Sequence, residues 1–143
     1  MSADGIVFPV EVTVRVWDLG RGGPLFPVQH PYVEMLWLPV IGPSTTWLLR
    51  RLSVWALACS GGLTVVLPEL SESLGLGWSS GANSSVQRSM RRLIMFGLAR
   101  WNDGVFEVVV QVPGVSDRQL GRMSSGLVRA HDRMIVEAQS RAA

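Results

Sequence analysis

The triplet Asn102-Asp103-Gly104 constrains the fold more than any other stretch of the chain. Asn, Asp and Gly tolerate the left-handed backbone of a tight turn. Here they separate Leu98-Ala99-Arg100-Trp101 from the β-branched run Val105 to Val112, which predicts a strand, a turn and a returning strand. Immediately upstream the apolar period changes. From Ser84 onward Val86, Met90, Leu93, Ile94 and Gly97 fall on one side of a helix. A helix that runs straight into a hairpin needs further elements to cover its apolar side.

Those elements are legible before it. Pro43 suits the first turn of a helix, where a missing N–H costs nothing. Through Cys59 the face Leu48, Leu52, Trp55 and Cys59, widened by Leu49 and Ala56, keeps helical spacing. Trp47, Val54 and Ala58 form a second apolar stripe, which the N-terminal strands or another subunit must cover. Residues 63–67 read as a short strand, and Pro68 to Leu74 as a short helix stopped by Gly75 and Gly77. The linker Gly75 to Asn83 is longer than the turn of a plain helix-turn-helix.

The flanks are simpler. Val10 to Val16 alternates Val with polar residues, as a half-buried strand does. Tyr32 to Leu38, bounded by Pro31 and Pro39, reads as a strand or extended segment. After Pro113-Gly114, Ser116 to Gln119 has capping-box spacing, and from Ser125 the set Leu127, His131, Met134, Ile135 and Ala138 marks a last helix. The expected organisation is a single compact α+β domain. It has an N-terminal extended segment (1–42), a central module (43–112) and a C-terminal helical segment (113–143).

Hydrophobic residues make up 48% of the 143 and charged residues 17%, which argues against intrinsic disorder. The net charge of +2 is uneven: residues 1–83 carry four Arg and six acids, residues 84–143 nine Arg and five acids. All 13 basic residues are Arg, a bias expected first of a high-GC genome. The lone Cys59, in an apolar stretch, reads as a buried structural thiol in a reducing cytosol. The N-terminus lacks a secretory pattern. The uncharged run Leu52 to Pro68 is broken by Ser60-Gly61-Gly62, and neither half would cross about 30 Å of hydrocarbon. A cytoplasmic protein without membrane contact is expected.

Nothing in the pattern points to an enzyme. His30 and His131 are isolated, the acids are scattered, and neither a nucleophile elbow nor a phosphate-cradling Gly-rich loop is present. No metal or cofactor is expected. Most of the six Trp should be core or interface; Trp78 stands apart in a Gly/Ser-rich loop.

The order helix, strand, helix, helix, strand, turn, strand over residues 43–112 resembles a winged helix-turn-helix. Three stretches carry the likeness: Leu70-Ser71-Glu72-Ser73-Leu74-Gly75-Leu76, then Ser85-Val86-Gln87-Arg88-Ser89-Met90-Arg91-Arg92-Leu93, then Phe96-Gly97-Leu98-Ala99-Arg100. They look like the pattern in MarR-like regulators. Leu38-Pro39-Val40-Ile41-Gly42-Pro43 is similar to the turn that opens DnaD-type winged helices. The whole chain also looks like small uncharacterised actinobacterial helix-turn-helix proteins. The resemblance implies double-stranded DNA as partner and a role in transcription or mobile-element regulation.

On the helix from Ser84 a wheel at about 100° per residue sets Arg88 and Arg91 opposite the apolar side. No acid occurs between Ser84 and Asp103. Arg88 and Arg91 are candidates for guanine edges, Arg92 and Arg100 for phosphates, and Ser84 and Ser85 for a phosphate at the helix start. Gln87 completes the candidate DNA-binding set, and Asn102, Asp103 and Gly104 form the wing turn. A homodimer is expected from the second stripe on helix 44–59 and from the amphipathic last helix. Met95, outward beside the Arg residues, supports the alternative of a protein-interaction module, of a replication-initiation or phage-type adaptor kind, without direct DNA binding.

Overall fold

The computed structural model describes residues 3–18, 20 and 22–142. The chain is a mixed α+β structure with a four-stranded and a two-stranded sheet. Strand β1 (Glu11–Val16) uses its alternation as expected: Val12 and Val14 point into the core and Glu11 and Arg15 away from it. Strand β2 (Leu25–Pro27) follows Pro24.

The apolar run after Pro31, expected to be extended, is helical. A π-helical turn (Val33–Trp37) leads directly into helix α1 (Leu38–Ile41). Two prolines suggested breaks, yet both sit where a helix accepts them. Pro31 lies at the helical start, and Pro39 follows the wide turn in which the Leu38 amide donates to Val33 five residues back. Val33, Leu36, Trp37 and Ile41 supply the buried face, at helical spacing.

Helix α2 (Pro43–Ala58) crosses the core, burying Leu48, Leu49, Leu52 and Ala56. Strand β3 (Leu63–Val66) runs into α3 (Leu67–Ser73), and a loop leads to α4 (Ser85–Met95), whose Val86, Met90 and Leu93 face the core. The hairpin is present as β4 (Ala99–Asn102) and β5 (Val105–Val108), turning through Asp103 and Gly104 at φ 51° and 75°. The single strand expected from Val105 to Val112 is divided. Its second part, β6 (Gln111–Pro113), leaves the main sheet and pairs antiparallel with β2. Helix α5 (Asp117–Leu120) is closed by the expected capping box, and α6 (Ser125–Ala142) ends the chain.

The main sheet has the order β3-β1-β5-β4. β1 lies antiparallel to β3, with Val12 opposite Val65, and parallel to β5, with Val14 opposite Phe106. The N-terminal strand therefore separates β3 from the hairpin and belongs to the centre of the sheet. Helix α2 packs against α4, and both rest on the sheet. Of the two covers expected for the second α2 stripe, the N-terminal strands do not supply one: Trp47, Val54 and Ala58 stay exposed, as does Leu57. Cys59, expected to be buried, is exposed at the helix end. Among the described residues no helix is long and apolar enough to cross a membrane.

Candidate nucleic-acid interface

Helix α4 begins on a side-chain cap: Ser84, buried, accepts from the Gln87 amide. Its hydroxyl thus satisfies one of the helix's own orphan N–H groups, and Ser85 rather than Ser84 faces the surface.

Gln87 is only 2% exposed and belongs to the packing of the N-terminal segment. Its Oε1 accepts from the Phe8 amide at 2.8 Å, and its Nε2 donates to the Phe8 carbonyl at 2.8 Å. One turn on, Arg91 donates to the Ile6 carbonyl at 3.1 Å and to the Ala82 carbonyl. The wheel placed Arg91 on the free side of α4. In the structure residues 6–8 cover that side, and the guanidinium ties them down. Phe8 anchors the segment, edge-on to Trp101 and Phe106 at centroid distances of 5.1 and 5.5 Å.

Arg88 and Arg92 remain exposed, with the partly exposed Ser85 on the same side of α4. Among the described residues the Arg88 guanidinium makes no hydrogen bond or ion pair, its backbone amide donating to the Ser84 carbonyl within the helix. Arg92 reaches the end of α1, where Nη1 donates to the Ile41 carbonyl at 3.2 Å. Met95 is 64% exposed beside them. Between α4, the start of α2 and the N-terminal segment lies an open groove of about 550 Å³. Ser44, Thr45, Ser85, Arg88, Ser89 and Arg92 line it, with Asp4 from the N-terminal segment. Sequence reasoning missed the contribution of α2: Gly42-Pro43-Ser44-Thr45 signalled a helix start, but its place beside α4 is set by tertiary packing.

The β4–β5 hairpin carries its own ion pair. Arg100 donates to both carboxylate oxygens of Glu107, at 3.0 and 3.2 Å, and lies 5.0 Å from the Trp17 ring centroid. Asn102 adds a bond to Glu107 at 3.3 Å. The hydrogen bond from Arg100 is the main reason the Glu107 carboxyl titrates below its ordinary value; burial opposes it and Asn102 assists. Arg100 is thus already engaged, while Asp103 and Gly104 stay exposed at the turn.

No protein-family profile, curated protein or solved structure matches the chain.

Proposed function

We propose that the chain is a winged helix-turn-helix protein that binds duplex DNA, acting as a transcriptional or mobile-element regulator, and that it grips the DNA backbone more than base edges. One observation carries the reading: Arg88 and Arg92 stand exposed with Ser85 along the open side of α4, a helix without a carboxylate. The helix–strand–helix–helix–hairpin order of 43–108 supports it. The engagement of Gln87 and Arg91 by residues 6–8 moves the contact from base reading toward phosphates, which position a protein without specifying sequence.

Titration of a fluorescent duplex at about 50 and about 200 mM salt tests this. Phosphate-driven binding falls steeply with salt. Arg88→Ala with Arg92→Ala should remove most of the affinity and flatten the salt slope by about two units. Equal affinity in the double variant would overturn the assigned face, and no duplex affinity at low salt would overturn the reading.

A protein-interaction module is the second reading. Met95 and the α2 stripe Trp47, Val54 and Leu57 favour it, being large apolar side chains left in solvent. The α2 face of Trp47, Val54 and Ala58, together with α6, is the surface proposed for pairing two copies of the chain. Light scattering at tens of micromolar checks that, and a monomer removes it.

A further inference from the structure

The groove beside α4 is more specific than a basic surface. We infer that it is a seat for one phosphate group, with the Thr45 and Ser89 hydroxyls inside and the Arg88 and Arg92 guanidinium groups at the rim. The identity of the occupant, a backbone phosphodiester, rests on the DNA-binding reading.

Thr45 and Ser89 line the groove, are only 3% and 4% exposed, and among the described residues neither hydroxyl has a hydrogen-bond partner. Neighbouring Thr46 behaves otherwise, its hydroxyl donating to the Gly42 carbonyl at 2.8 Å. Neither oxygen is among the fully enclosed unpartnered polar atoms, so both hydroxyls open onto the groove, where a ligand oxygen can accept from them.

The start of α2 adds donors. Its N-cap is Gly42, which has no side chain to cap with, and Pro43 has no N–H. The Thr46 amide donates to the Gly42 carbonyl, so the Ser44 and Thr45 amides precede the first closed turn. They sit at the positive end of a 16-residue helix. Gly42 itself turns through φ 85°, a left-handed conformation that glycine takes without strain.

Hydroxyls, amides and guanidiniums all donate. They come from two helices, which suits a tetrahedral group with oxygens in several directions better than a flat carboxylate. Asp4 is the acidic residue lining the groove, and its charge opposes an anion.

The test is an amide NMR titration of the full chain with inorganic phosphate against a chloride control, followed by the fluorescent duplex. Inorganic phosphate is expected to shift the Ser44, Thr45, Ser85 and Ser89 amides. Thr45→Val with Ser89→Ala should weaken phosphate binding about tenfold, the usual consequence of losing hydrogen bonds to a charged group. Asp4→Asn should strengthen it, and unchanged amide spectra outside the groove would show that these variants fold.

The same Thr45/Ser89 variant losing duplex affinity in parallel establishes the backbone phosphodiester as occupant. Phosphate shifts at the four amides with no duplex binding would keep the seat for free phosphate or phosphomonoesters and sink the DNA reading. Duplex binding that ignores Thr45→Val and Ser89→Ala, with phosphate shifts scattered elsewhere, would overturn the seat while leaving the DNA reading standing.

Discussion

Gln87 and Phe8 are joined by a reciprocal pair of hydrogen bonds, side-chain amide to main chain, each 2.8 Å long. The geometry repeats what two strands offer each other, although one partner is a helical side chain. It satisfies both polar groups of a residue whose ring is sealed between Trp101, Phe106 and the core. Gln87→Leu preserves bulk but leaves the buried Phe8 N–H and C=O unpaired, each costing about 1–3 kcal/mol. The expected loss in urea unfolding is about 3 kcal/mol, on the same basis. A loss below about 0.5 kcal/mol, the ordinary range of a surface substitution, would show that residues 6–8 are not held through Gln87.

Tyr32 plays a corresponding part at the other end of the molecule. Its ring stacks on Phe26 at 4.0 Å, and its hydroxyl accepts from the Val115 amide at 2.8 Å while meeting Nδ1 of His131 at 2.9 Å. Burial pushes the phenol up to about 12, against a smaller opposing effect of the Val115 bond, so the hydroxyl stays neutral through the useful pH range. Tyr32→Phe removes the link between the core and α6 and orphans the Val115 amide. A loss of about 1–3 kcal/mol is expected. Hydrogen exchange should show faster exchange in residues 125–141 than in α2, and uniform loss of protection in both helices would contradict the assignment.

These two links explain what the sequence could and could not disclose. Periodicity located α2, α4, α6, β1 and the hairpin, because each buries a face that its own spacing records. The helix at 33–41 was hidden by Pro31 and Pro39, whose usual meaning is a break; the π turn that accommodates Pro39 leaves no local signature. The placement of β1 between β3 and β5 is a long-range choice, invisible in a pattern that repeats every two residues. The site suffered most. A wheel shows which side of α4 is polar, but not that Ile6 and Phe8 would occupy the Gln87 and Arg91 part of it. Nor does it show that the Gly42-Pro43 turn would bring Thr45 beside Ser89.

The turn of the β4–β5 hairpin offers a local test. Asp103 and Gly104 both have positive φ, at 51° and 75°, as the tight turn of a right-twisted hairpin requires. Asp103→Asn should change stability by no more than about 0.5 kcal/mol, since Asn enters this region readily. Asp103→Val should cost about 1–2 kcal/mol, because a β-branched side chain crowds the following carbonyl there. Thermal melts of the two variants distinguish the outcomes, and equal melting temperatures would refute the turn geometry.

Acid should destabilise the protein in two separate windows. The Nδ1 atom of His30 accepts from the Tyr32 amide at 3.0 Å, and burial first, then Arg141, lowers its pKa from 6.5, while Glu137 opposes them. The unfolded chain therefore takes up the proton before the folded one. This contribution is complete above about 6.5 and is lost as pH falls from there through the lower folded value. The Glu107 carboxyl is also depressed, from 4.5, chiefly by its hydrogen bond from Arg100. Its contribution is complete above about 4.5 and disappears as pH falls through the folded value beneath it. Unfolding free energies measured across the acid range should therefore decline in two steps. His30→Asn, which retains an acceptor near Nδ1, should abolish the upper step and spare the lower. Arg100→Ala should release the Glu107 carboxyl toward its ordinary value and shift the lower step upward. If His30→Asn leaves the upper decline intact, another group governs it and the His30 assignment fails.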